Sequence, residues 1–366
     1  MKKIISFILF LILIALPANS LFAADASVSF LNALGNLSKI EDYKMMQAFN
    51  GNVEFEDGAD HLNVEYRISL NSAVNGGDSM ASFNKVNVFL KFTNLNAATE
   101  SAPFKEMTMQ AGGEITSLNQ QDIYGRLTSF NVGLKDPLPA ALDDIDGMKT
   151  MVNQFKGIWF HSDVTKLTSG ALESKSGQEI DVNKYLDFEK QFKEDPKEAI
   201  LELSKLAMKD SDSGLSEEEM DQAVNGIKLL LETRLFTVRD MAGENSGSRF
   251  FNLNRESIIG FLRQFATLVG EELTANDELS VRSVLSKISV AGSYHVDDVY
   301  GLIDSFLIRF KIRETGPIKN FELNYRFKVS SLNQPSTIET PTNFEEADSF
   351  FGDEVVPTEV TPAGQL

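Results

Sequence analysis

The hydrophobic pattern of this chain is dominated by one-by-one alternation. Val64, Tyr66, Ile68 and Leu70 interleave with Asn63, Glu65, Arg67 and Ser69. Phe306, Ile308, Phe310 and Ile312 interleave with Leu307, Arg309, Lys311 and Arg313, and Phe321, Leu323, Tyr325, Phe327 and Val329 with Glu322, Asn324, Arg326 and Lys328. Successive side chains of a strand point to opposite faces, so each stretch predicts a strand with one apolar and one polar side. The apolar side requires cover by other protein, by a ligand, or by both.

Around these stretches the periodicity predicts an ordered series of elements. Phe30, Leu34, Leu37 and Ile40 recur at helical spacing, extended by Tyr43 and Met46, which predicts an amphipathic helix over 27–48. Strands follow over 52–57, 62–72, 82–95, 105–116 and 121–134, separated by turn-rich links such as Asn75-Gly76-Gly77-Asp78. Such short links allow only antiparallel neighbours, hence a meander. Asp136-Pro137-Leu138-Pro139 ends it, before a helix over 143–155, a strand at Gly157–Phe160 and a polar loop over 162–183.

The middle of the chain reads as helical. Asp195-Pro196-Lys197-Glu198 carries the start signals of a helix, with Ile200, Leu203, Leu206 and Ala207 as its apolar stripe. A second helix spans 216–234, with Met220, Ala223, Ile227, Leu230 and Leu231 inward. Strands at 235–241 and 247–253 precede a helix over 255–270 carrying Ile258, Leu262, Phe265 and Val269, then a shorter helix capped at Asn276-Asp277. Long strands return at 286–296, 303–314 and 319–332. The acidic, proline-punctuated segment 340–366 is expected to be mostly disordered, with Phe344, Phe350 and Phe351 able to dock locally.

Composition adds compartment and charge. Lys2 and Lys3, the 13-residue apolar run Ile4–Leu16 and the small Ala23 have the layout of a secretory leader cleaved after Ala23. The run is shorter than the roughly 20 residues of a spanning helix. With no cysteine, the chain offers no lipid-attachment thiol, disulfide or zinc–thiolate site. Removing the leader leaves 32 of the 34 basic residues against all 53 acidic ones, a balance of −21. That balance argues against nucleic acid and against electrostatic docking on anionic membranes, while leaving room for peripheral membrane contact. The 27 Phe are enough to dominate an extensive core.

The order of elements resembles the bacterial lipoprotein-carrier superfamily, the LolA/LolB half-barrels and the related LppX and LprG lipid-binding proteins. The stretches that carry the resemblance are Phe30–Glu56, Gly157–Phe160, Phe250–Phe265, Phe321–Val329 and Asn333–Pro341, within residues 27–342. The resemblance implies an α+β fold in which a strongly curved antiparallel sheet, a half-barrel, holds helices on its concave face and lipid or acyl chains in a cavity. The expected organisation is a leader over 1–23, one domain over 24–339 with a helical insert at about 184–234, and the acidic tail. The chain departs from the membrane-anchored members in lacking a lipid-attachment cysteine.

Candidate chemistry is sparse. His61, His161 and His295 lie on separate segments, and no nucleophile–base–orienter set is traceable in the sequence. Asp210-Ser211-Asp212-Ser213-Gly214 is reminiscent of a calcium loop, but its glycine falls at position five instead of six. The remaining candidates are apolar strand faces. Val88, Leu90, Phe92, Phe306, Ile308, Phe310, Leu323, Tyr325 and Phe327 are expected to face the helices and to line any cavity between them. The functional expectation is an exported, non-catalytic carrier or binder of a lipid or other hydrophobic ligand, with no cofactor. A surface scaffold with a filled core is the alternative, and a hydrolase is the least favoured reading.

Overall fold

The computed structural model describes residues 33, 36, 39–57, 60–76, 80–95, 104–119, 121–137, 139–163, 191, 194–210, 216–241 and 247–346. The expected leader, the polar loop beyond 163, the 211–214 break and the tail beyond 346 lie outside them.

Among the described residues, twelve strands form one open sheet. They are β1 (Tyr43–Asp57), β2 (Asp60–Asn75), β3 (Ala81–Asn94), β4 (Glu106–Leu118), β5 (Asp122–Lys135), β6 (Trp159–Asp163), β7 (Phe236–Asp240), β8 (Ser248–Leu253), β9 (Ile288–Val296), β10 (Ile303–Thr315), β11 (Ile318–Ser330) and β12 (Phe344–Glu346). The spatial order is β12-β6-β5-β4-β3-β2-β1-β11-β10-β9-β8-β7, antiparallel throughout except for the parallel β12–β6 pair. The helices among the described residues are α1 (Pro139–Gln154), α2 (Pro196–Asp210), α3 (Glu217–Glu232), α4 (Arg255–Leu268) and α5 (Ala275–Ser286). The chain is thus α+β, built on a large antiparallel sheet that does not close.

The two meanders join through β1 and β11, where Phe49 pairs with Tyr325 in register and stacks on its ring at 4.4 Å. This junction corrects the helix expected over 27–48. Ala33 and Asn36 are helical, but the strand begins at Tyr43. Tyr43, Met45, Phe49, Val53 and Phe55 share one parity, and pairing with β2 and β11 along both edges outweighs the local helical spacing. Met46, expected on the helical stripe, instead points to the polar side of the sheet.

Helix boundaries follow their caps. The side chain of Asp195 accepts from the backbone N–H of Lys197 and of Glu198, as the sequence predicts. Ser216 and Glu219 form a capping box on α3, and Asn254 caps α4. On α5 the cap is Thr274, with Asp277 as its reciprocal partner, in place of the expected Asn276-Asp277 start.

The closed core lies over one half of the sheet. Phe236, Phe251, Val290, Tyr294, Ile303, Phe306, Ile308 and Phe310 from the strands meet Ile227, Leu230 and Leu231 of α3, Ile258, Ile259, Phe261, Leu262 and Phe265 of α4, and Val281 and Leu285 of α5. Ile200 and Leu201 of α2 pack against the same cluster, so the helical insert shares the strands' core. Close approach is made possible by Gly292, where a Cβ would lie 2.0 Å from the Leu307 carbonyl oxygen and 2.4 Å from the Phe251 ring.

The end of the described chain runs over the polar face. Ser336 donates its backbone N–H to Asn75 Oδ1 at 2.8 Å. Residues 337–343 then pass over Phe83, Thr116, Arg126 and Trp159. Thr116, on this face, is only 1 % exposed. The strap ends in β12, at the Phe344 that the sequence marks as able to dock locally within the mostly disordered segment expected over 340–366. The Phe344 ring packs on Tyr124 at 5.2 Å and on His161 at 5.1 Å.

Candidate functional site

The register places all nine predicted apolar residues on the helix side of the sheet. On β10 and β11, Phe306 opposes Phe327, Ile308 opposes Tyr325 and Phe310 opposes Leu323. On β3, Val88, Leu90 and Phe92 oppose Ile68, Tyr66 and Val64 of β2, which continue through β1 to the β11 row. The nine do not share one environment. Phe306, Ile308 and Phe310 are buried in the closed core, and Leu323, Tyr325 and Phe327 pack at its margin. Val88, Leu90 and Phe92 lie four strand spacings from β10, about 19 Å away. They are half-buried and stand outside the buried cluster.

The half-buried face is wider than the predicted set. Phe49 and Val53 of β1, Ile68 and Leu70 of β2, and Met107 and Met109 of β4 extend it by cross-strand register. The β1 contribution was hidden by two interruptions, Gln47 and Gly51, and by the competing helical spacing of Tyr43 and Met46. Its signal in the sequence is the odd-numbered set Met45, Phe49, Val53 and Phe55.

Two phenols on this face make hydrogen bonds to other strands. Tyr325 donates to Gln47 Oε1 at 3.0 Å. Tyr66 reaches across Gly51 and donates to the Glu322 carbonyl at 3.0 Å. Gly51 leaves the necessary room, since a Cβ there would lie 1.7 Å from that carbonyl oxygen and 2.7 Å from the Tyr66 hydroxyl. Burial raises the Tyr325 phenol above its ordinary value, and burial followed by the Glu322 charge raises Tyr66, so both stay protonated donors near neutrality. Together they fix the β1–β2–β11 junction and offer little chemistry beyond hydrogen bonding.

Each histidine pairs with a carboxylate. His61 Nε2 lies 2.8 Å from Glu54, and His295 Nδ1 lies 2.8 Å from Asp304. His161 is held on both sides, with Nε2 2.9 Å from Asp122 and Nδ1 3.0 Å from Glu346. Only the doubly protonated ring can donate both bonds, and neither nitrogen is left to take a proton from a nucleophile. Burial opposes that charged form, but the hydrogen bonds and charges of Asp122 and Glu346 outweigh it and raise the His161 pKa above the ordinary value. The arrangement is suited to clamping β12 onto β6. Among the described residues, no cluster of His, Asp and Glu is arranged to hold a metal ion.

The functional features of the described chain are therefore an apolar sheet face, half closed by helices, and a histidine clamp at one edge. No protein-family model matches the chain, and no curated protein matches it, so its function is read from this geometry alone.

Proposed function

We propose that this protein is an exported, non-catalytic binder or carrier of a hydrophobic ligand of lipid or acyl-chain type. In this reading the sheet curves toward its helix side, with the helices on the concave face, as in the LolA/LppX-like half-barrels that the order of elements resembles. The ligand lies on the part of the face formed by β1–β4, beside the closed core. The observation that carries the reading is that Phe49, Ile68, Val88, Leu90, Phe92, Met107 and Met109 continue the core's apolar surface without being part of its buried cluster. Burying an acyl chain there would contribute about 0.8 kcal/mol per methylene, enough for tight binding with few polar contacts. The methionines add adaptable surface. Selectivity would then be loose, set by the length of the face and by polar groups such as Tyr66 and Gln47 at its margin.

Displacement of a fluorescent fatty-acid probe tests this. Wild type is expected to bind the probe, and Leu90→Asp to abolish binding because a carboxylate on the apolar face must be desolvated. Phe310→Ala is expected to cost about 3–5 kcal/mol of stability, read by urea unfolding, because that ring is in the closed core. Its probe binding should remain under native conditions. A specific observation favours a second reading, a scaffold with a filled interior: Phe306, Ile308 and Phe310 are only 4 %, 8 % and 7 % exposed. A wild type that binds neither probe nor extractable lipid would replace the carrier with that scaffold.

A further inference from the structure

The opposite face of the sheet carries a groove that the hydrophobic-ligand reading does not use. Its axis is one cross-strand row: Arg326 of β11 pairs with Ala48, Ala48 with Ser69, Ser69 with Asn87, Asn87 with Gly112 and Gly112 with Ser129. Between Arg326 and Ser129 nothing longer than Asn87 rises from the sheet. At Gly112 a Cβ would already stand 2.5 Å from Ser129 Oγ. The adjacent row is taller and forms a wall, with Asn50 of β1, Arg67 of β2, Phe89 of β3 and Gln110 of β4 in register. The result is an open groove of about 500 Å³ across the strands.

Its chemistry differs from that of the chain as a whole. The protein carries 53 acidic against 34 basic residues, yet the lining includes two arginines and no carboxylate. Arg67 lies over the Phe89 ring at 5.4 Å, and neither Arg67 nor Arg326 has an ion-pair partner among the described residues. Lys328, two residues along β11 on the same face, adds a third cation beside Arg326. The uncharged polar side chains of the lining are the amides and hydroxyls of Asn50, Asn87, Gln110, Ser69 and Ser129.

We infer that this groove binds an acidic oligosaccharide, a chain of hydroxyl-rich sugar units bearing carboxylate or sulfate groups. The amides and hydroxyls match a ligand that donates and accepts at many points along its length. Arg67 and Arg326 stand two strands and two residues apart, about 12 Å between their backbones, so they meet charges repeated along a polymer more readily than one small anion. The open form of the groove admits an extended chain. The site is on the face opposite the proposed lipid surface and does not depend on it.

Isothermal titration calorimetry of the full mature chain with a uronic-acid oligosaccharide tests the inference. Wild type is expected to bind it, more weakly as salt rises, and to bind a neutral glucose oligosaccharide of equal length far less. The double variant Arg67→Glu/Arg326→Glu should lose affinity by about tenfold or more per reversed charge, with unchanged circular dichroism. Ala48→Trp, which fills the groove without altering charge, should lose binding as well. Arg313→Glu, an exposed charge on the same face away from the lining, should bind as wild type does. Absence of wild-type binding, equal affinity for the neutral oligosaccharide, or a double variant that binds normally each overturns the assignment. So does competition by inorganic phosphate at comparable concentration, which would mark a site for small anions.

Discussion

At the scale of single residues, the histidine clamp makes the clearest demand on conditions. His161 bridges Asp122 and Glu346, and its pKa is raised in the folded chain. A raised folded-state pKa means that the folded chain binds the proton more tightly than the unfolded one. The stabilisation is therefore fully present below the unfolded histidine value, near pH 6.5, and is lost as pH rises through the folded value. The attachment of β12 to β6 should accordingly be tightest in mildly acidic solution. Hydrogen exchange at 344–346 should quicken above neutrality in wild type, whereas in His161→Ala it should be fast at both acidic and alkaline pH after correction for intrinsic exchange. An exchange rate in wild type that follows only the intrinsic pH dependence would remove the clamp.

At the scale of elements, packing decides which apolar strand faces are closed. β9 admits Phe251 of β8 onto its surface only because Gly292 has no side chain. Phe251 is fully buried and packs against Phe236 at 5.6 Å, Phe306 at 5.9 Å and Tyr294 at 6.4 Å. Gly292→Ala should cost about 1–3 kcal/mol through overpacking, despite the better strand propensity of alanine. The measurement is the urea midpoint, and a stability equal to wild type would mean that Phe251 moves aside freely. The same crowding bears on Ile308, which stands opposite Gly292 in the register. Its neighbours leave it in a closed core, so it serves packing and lies away from the half-buried face over β1–β4.

At the scale of the molecule, the sheet is open, with edges at β7 and β12. One edge is protected by a strand of only three residues, held by Asn75, by the clamp and by the Phe344 ring. Short edge strands of this kind limit pairing with other chains. Ending the chain at Ser336 should therefore expose Trp159 and Tyr124 and leave β6 as an unprotected edge. The expected outcome is faster exchange in β6 and concentration-dependent association by light scattering, with the core of α3, α4 and α5 unchanged in protection. A truncated chain that stays monodisperse and protects β6 as before would assign the strap no part in guarding the edge.

The alternation along β2, β3, β10 and β11 is enough by itself to determine that these segments are strands and which side of each is apolar, because side-chain direction in a strand has a period of two. Short turns similarly determine the antiparallel meander, and the Asp195-Pro196-Lys197-Glu198 signal determines where α2 begins. None of this says which strands close the sheet's middle. The β1–β11 pairing joins residues some 280 positions apart, and only that contact reveals Tyr43–Phe49 as strand and not helix. The division of the predicted apolar set was equally invisible. Phe310 and Leu90 have the same local pattern, but one lies in the buried cluster shared with the helices and the other lies outside it. The groove on the polar face depends on register across six strands, since Ala48, Ser69, Gly112 and Ser129 become neighbours only when the sheet aligns them. Periodicity is a local property carried by the backbone, whereas cover, register and shared sites arise from packing between distant segments, which the tertiary structure alone decides.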